Sequence, residues 1–399
     1  MKLKITLALL ISAFLSVQAQ EISDTSFGKG LLNFVAKDSS FSVKFAPRFQ
    51  VRSTSSWDYN GNSYESPEHN FIVRRARLKF DGFAYSSKLK YKIELGLSNR
   101  DISGANQFNR NTPRYILDAV LMWNFAKNFE LWAGQTKLPG NVERVVSSAN
   151  LQLIDRSLLN SRFNIDRDLG IQLRHQSNLG GNFIIREKLA ISQGEGRNVT
   201  EGNEGGLQYT ARLELLPFGN FKSKGDYSQS DLKREEKPKL MLGATYDLNQ
   251  DAVKERSVLG DYMFKSDGSL YETDITTIFA DAMFKYNGFS FMGEYAKRTA
   301  DNPIAIDTDG SPTGDIVLTG NALNLQAGFL FKCDYEIVGR FTKVEYETVT
   351  SALPTKQYTF GLNKFIVGHK LKVQSDINYT TVNGNKDNIT FRLGFDIHF

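Results

Sequence analysis

Two short runs carry the most suggestive chemistry in this 399-residue chain: Arg75, Arg77 and Lys79, then Lys88, Lys90 and Lys92. In an extended chain, residues two apart share a face, so each run makes a row of positive charge along one side of a strand. Lys44, Arg48 and Arg52 precede them, and Arg174, Arg186, Lys188 and Arg212 follow in later segments. Rows of this kind attract anions. An arginine offers a planar fork to phosphate or carboxylate oxygens, whereas a lysine is a mobile point charge. Two further arginines, Arg144 and Arg156, each have an acidic neighbour, Glu143 and Asp155. That pairing leaves two roles open: facing a solute, or bracing the segment against nearby charge.

Catalytic chemistry finds less support. The four histidines, His69, His175, His369 and His398, are scattered, and no Ser–His–Asp arrangement or metal-ligand spacing emerges around them. Asp307-Thr308-Asp309-Gly310, with Asp315 beyond, resembles part of a calcium loop but lacks the closing Glu. No enzyme, cofactor or metal is expected, and no motif points to nucleic acid. Cys333 is the single cysteine, which excludes an intrachain disulfide. The formal net charge of +5 is small, so an argument for anions must rest on where the charges sit.

The elements that would position these charges are strands. From Phe41 to the end the dominant pattern is period-two alternation. In Phe71–Phe83, Ile72, Ala76, Leu78 and Phe80 fall on one side and Arg75, Arg77 and Lys79 on the other, which places Arg74 on the apolar side near the outer rim. About sixteen such strands follow one another, each roughly ten to thirteen residues long, the length of a tilted membrane strand. Phased by their apolar faces, the first eight put thirteen basic residues on the polar side against six acids: Asp81, Glu94, Asp118, Glu130, Asp168 and Glu214. The later eight come out balanced.

Connections alternate between tight turns and long loops, as in outer-membrane barrels. Pro217–Lys237 breaks the pattern. It is long where a short turn is due, and its charged run, FKSKGDYSQSDLKREEK, predicts a solvated, mobile turn. Leu138–Ile165 is the longest connection, half apolar and half paired charge. It suits either a plug folded into a barrel or a packed surface loop. The last strand alternates strictly from Ile389 and ends the chain on Phe399. This resembles the recognition signal of the barrel assembly machinery, an expected partner.

The expected fold is therefore all-β: a 16-stranded antiparallel transmembrane β-barrel with a long third loop folded into the lumen. Residues 1–19 read as a signal peptide, with Lys2 and Lys4 ahead of an apolar run and Val17-Gln18-Ala19 as the cleavage site. Residues 20–40 form a short periplasmic lead-in, 41–399 the barrel, and 138–165 its pore-constricting loop. The expected location is the bacterial outer membrane, with lipid around the apolar face.

Four stretches, Phe71–Tyr85 (FIVRRARLKFDGFAY), Gly134–Arg144 (GQTKLPGNVER), Asp155–Ser157 and Arg167–Leu173 (RDLGIQL), resemble the phosphate-selective porins O and P. The resemblance extends over nearly the whole chain after the signal. It implies a sixteen-stranded barrel, commonly a homotrimer, whose third loop narrows the pore and whose basic residues attract small anions. The positions expected to meet them are Arg48, Arg75, Arg77, Lys79, Lys88, Lys90, Lys92, Arg144, Arg156, Arg186 and Lys188. The inserted loop has no lysine cluster, which favours general anion preference over phosphate. The alternative is a non-conducting structural or adhesin-type barrel.

Overall fold

The computed structural model describes residues 26–200 and 202–399. The expected signal peptide lies outside the described residues, and so does the start of the lead-in.

Sixteen strands form one closed antiparallel sheet among the described residues. The first half comprises β1 Arg48–Asp58, β2 Glu68–Ala84, β3 Ser86–Gly96, β4 Ile116–Ala126, β5 Phe129–Lys137, β6 Arg167–Asn178, β7 Ile184–Ser192 and β8 Gln208–Leu216. The second half comprises β9 Lys239–Ala252, β10 Thr273–Tyr286, β11 Phe289–Ala300, β12 Gly320–Leu330, β13 Tyr335–Tyr346, β14 Thr355–Val367, β15 Leu371–Val382 and β16 Asn385–His398. Every strand pairs with its neighbour in sequence, and β16 closes on β1 from Asn388↔Asp58 to His398↔Arg48. Closure leaves no unpaired edge, which lipid would penalise by several kcal/mol per orphaned group. Before β1, the short strands Leu32–Val35 and Ser42–Phe45 pair with each other, and the second continues the sheet against β2.

Alternation sorts the side chains as expected. Leu121, Ile171, Leu189, Ile191 and Phe360 on the outer face are each more than half exposed. The tight turns use residues that tolerate a left-handed backbone. Asn287 and Gly288, at φ 51° and 92°, make the two-residue hairpin between β10 and β11.

The segment between β5 and β6, residues 138–165, packs against residues of β8 to β13. Leu138, Leu159, Phe163 and Ile165 cluster with Phe279, Ala296, Ala322 and Val344 of β10 to β13. Val142, Val146 and Leu151 meet Leu216, Met241, Met283 and Met292. Each such burial of a Leu or Phe contributes about 1.5–3 kcal/mol, which answers why so polar an interior carries these apolar residues. Close approach is made possible by glycine. A Cβ on Gly361 would stand 2.6 Å from Leu153 Cδ2. Ladders of hydrogen bonds complete the seat: the Leu151 carbonyl accepts from Lys372 Nζ at 2.7 Å, and the Gln152 carbonyl from Asn363 and Gln374 at 2.7 Å each.

The connection between β8 and β9 differs from its expected character. It is solvated only in part: Lys222, Ser223, Lys224, Lys233, Glu236 and Lys237 are exposed, whereas Asp226, Gln229, Ser230, Asp231 and Glu235 are each 1% exposed. Asp226 pairs with Arg186, Ser230 donates to Glu336, Asp231 accepts from the Gly288 amide and Glu235 from the Lys222 amide.

Candidate functional site

Local backbone geometry decides which charges gather. Between β1 and β2 the register slips, so that Gln50 faces Arg75 while Val51 faces Val73. Arg74 is the extra residue of a β-bulge. Val73 remains outward and 56% exposed, whereas Arg74 and Arg75 both turn inward, 9% and 2% exposed. The expectation that Arg74 faces lipid is corrected here, because strict alternation ends at the bulge.

The two arginines close on Asp155 of the inserted segment. Arg74 Nη2 lies 2.7 Å from Asp155 Oδ1 and Arg75 Nη2 3.4 Å from the same oxygen. Arg52 of β1 and Arg392 of β16 approach Oδ2 at 2.5 and 3.3 Å. Burial alone would raise the pKa of this carboxyl. The guanidiniums of Arg74, Arg392, Arg75 and Arg52 outweigh it and hold the group well below the usual carboxylate range.

Beside this cage opens a cavity of about 430 Å³, toward the end of the barrel that bears the long connections. Eleven arginines line it against three carboxylates, Asp101, Asp155 and Asp166, and it has no lysine. Arg74, Arg75, Arg77, Arg144, Arg167 and Arg392 have carboxylate partners. Arg100, Arg114, Arg156, Arg197 and Arg256 have none within ion-pair distance among the described residues. Arg197 donates to the backbone carbonyls of Asp101 and Arg114, and Arg156 to those of Glu143 and Val146. Burial, followed by the repulsion of Arg114 and Arg167, lowers Arg197 to about 9. Burial also lowers Arg156, to about 10. Both stay charged at neutral pH, under repulsion from Arg77 and Arg167 that an incoming anion would relieve.

The expected anion-facing residues divide into groups. Arg75, Arg77, Arg144 and Arg156 line the cavity. Arg77 also pairs with Glu94 at 3.0 Å and Asp101 at 3.3 Å, and Arg144 pairs with Asp166. Arg48 is buried, bound to Asp396 at 2.6 Å and to Ser148 of the inserted segment at 2.7 Å. Toward the opposite end, Lys79 pairs with Asp81 at 2.9 Å, and Lys92 with Asp118 at 2.6 Å and Glu94 at 2.9 Å. Lys88 and Lys90 are exposed. Arg186 pairs with Asp226 at 2.5 Å and Lys188 with Glu214 at 2.5 Å, both under the connection between β8 and β9.

Several cavity arginines escaped the strand-based reading. Arg100, Arg114, Arg197 and Arg256 come from the connections between barrel strands, Arg100 in the short helix Asn99–Ile102 and Arg256 in the short strand Lys254–Arg256, pieces too brief for a period to be read. Among the described residues no group of three or more His, Cys, Asp or Glu could hold a metal ion.

Residues 49–338 match the family described as phosphate-selective porin O and P. The chain belongs to that family. This porin is an outer-membrane protein with the fold of a channel. It is 23% identical over 359 residues to an uncharacterized protein of Aquifex aeolicus, covering 83% of this chain and 80% of the other. Among solved structures it is similar to the outer-membrane channel DcaP of Acinetobacter baumannii, with 12% identity and a TM-score of 0.56 over 91% of this chain and 99% of that one. An anion-selective porin from Comamonas acidovorans gives 11% identity and a TM-score of 0.55, over 90% and 100%. At these identities the structural likeness is one of fold.

Proposed function

We propose that this porin passes small anions by passive diffusion, and that residues 138–165 fold into the lumen as its constriction. The observation that carries the reading is the cavity with eleven arginines and three carboxylates. A basic, low-dielectric channel focuses potential and concentrates anions. The anion-selective neighbour from Comamonas acidovorans supports the same reading.

The path we infer is off-centre. Solute collects at Arg100, Arg114, Arg156, Arg197 and Arg256 and passes Arg77. It then follows Lys92, Lys79, Lys90 and Lys88 to the periplasm. The Lys92 and Lys79 side chains on that wall are 27% and 33% exposed. Arginine forks favour oxyanions such as phosphate or carboxylates, held at roughly millimolar strength, about 4 kcal/mol. Export by the signal at 1–19, assembly through Phe399 and a homotrimeric state belong to this reading. They rest on the sequence and the family.

A non-conducting barrel is the second reading. It is favoured by the filled interior, where Arg298, Thr342 and Glu336 are 0% exposed. Reversal potentials of the purified porin in a planar bilayer under a KCl gradient, followed by phosphate titration, separate the two. Anion selectivity with phosphate block at low millimolar concentration is expected. Cation selectivity would remove the basic path, and absence of conductance would leave the structural barrel.

A further inference from the structure

We infer that residues 221–236, between β8 and β9, are a second pore-shaping segment that closes the periplasmic half of the lumen beneath the inserted loop. The porin is thereby restricted to an exit along β2 and β3.

The segment is held at three levels. On the interior wall, Lys285 Nζ donates to the carbonyls of Ser228 and Ser230 at 2.7 and 2.6 Å, and Ser230 Oγ donates to Glu336 at 2.9 Å. Lys188 Nζ reaches the Tyr227 hydroxyl at 2.6 Å, and that hydroxyl donates to Glu214 at 2.5 Å. At the barrel rim, the amide of Gly288 donates to the Asp231 carboxylate at 2.8 Å, and the amide of Asn287 to the Glu235 carbonyl at 2.9 Å. Toward the lumen centre, the Gln229 amide donates to the Asn150 carbonyl at 2.9 Å, and the Gln152 amide to Gln229 Oε1 at 2.7 Å. The segment therefore runs from the wall and the short turns to the inserted loop itself.

Its consequence appears in the walls. Lys285 and Lys188, on β10 and β7, are 2% and 5% exposed. Across the lumen Lys79 and Lys92 keep water on about a third of their side chains, at 33% and 27%. On the segment's side Lys285 is taken up by its carbonyls, Arg186 by the Asp226 carboxylate, and Lys188 by the Tyr227 hydroxyl together with Glu214 of β8. On β2 and β3 the segment takes up none of the cations: Lys79 and Lys92 pair with wall carboxylates, and Lys88 and Lys90 are exposed. The segment thus decides which half of the wall an ion meets. This inference rests on the porin reading.

The test compares the full-length porin with a variant in which residues 221–236 are replaced by a short Gly-Ser turn, its barrel confirmed by heat-modifiable electrophoretic mobility. At least a twofold rise in single-channel conductance is expected, or opening of an otherwise closed wild type. Equal conductance in the two overturns the inference while leaving the porin reading intact. A wild type and variant that are both closed overturn the porin reading, and this inference with it.

Should the replacement fail to fold, thiol labelling gives the same answer. In a Cys333→Ser background, Lys222→Cys is expected to react from the periplasmic face with a membrane-impermeant maleimide. Ser230→Cys is expected to react more than tenfold slower, and equal rates would overturn the closure.

Discussion

Four guanidiniums around one carboxylate make Asp155 the position where a single atom change should matter most. Asp155→Asn leaves Arg52, Arg74, Arg75 and Arg392 facing one another. Removing one partner of a buried ion pair costs about 3–5 kcal/mol. The barrel is expected to survive while the inserted loop loosens, seen as flickering single-channel current and a larger anion-to-cation permeability ratio. The same carboxyl sets a pH expectation. Its pKa in the folded protein lies below the ordinary value of about 3.9. Its contribution is therefore complete above pH ~4 and is lost only as pH falls through the lower folded value. Conductance should stay flat from pH 8 to 5, and a transition within that range would point to another group. Of this site, the pairing of Asp155 with cations was legible from its charged neighbours. The identity of the four was not, because they come from β1, β2 and β16.

At the scale of elements, the strands were legible and the departures from them were not. Alternation located β2 but could not place the bulge, since a single inserted residue leaves composition unchanged and reverses the phase beyond it. Deleting Arg74 tests this. The strand is expected to regain strict alternation with its outer residues still outward, and the barrel to keep its heat-modifiable mobility. Phosphate block should weaken by about 1 kcal/mol, roughly fivefold. A lost barrel would show that the bulge is needed for closure instead. The segment between β8 and β9 was misread for a different reason. Polarity separates inside from outside in a water-soluble core, but a barrel interior is itself polar. Asp226, Asp231 and Glu235 are as suited to Arg186, the Gly288 amide and the Lys222 amide as they are to water. Hydrophilic sequence alone cannot distinguish those two destinations.

For the whole molecule, the modest net charge of +5 hides a strong local asymmetry. Screening follows the local field, so selectivity should be salt-sensitive. The Debye length shrinks from about 10 Å at 0.1 M to about 3 Å at 1 M. The anion-to-cation permeability ratio measured by reversal potential is expected to fall severalfold over that range. A ratio independent of salt would mean that selection occurs by direct contact in a space too narrow for screening ions. The cage around Asp155 also has a bearing on how the molecule comes together. Arg52 and the Arg74–Arg75 pair arrive on the first two strands, and Arg392 arrives on the last. Arg48 and Asp396 bridge the same seam at 2.6 Å. The complete cage exists only once the two ends of the sheet have met. Residues 138–165, the constriction we propose, are thus riveted across the final joint of the cylinder, and their docking reports that the wall has been sealed.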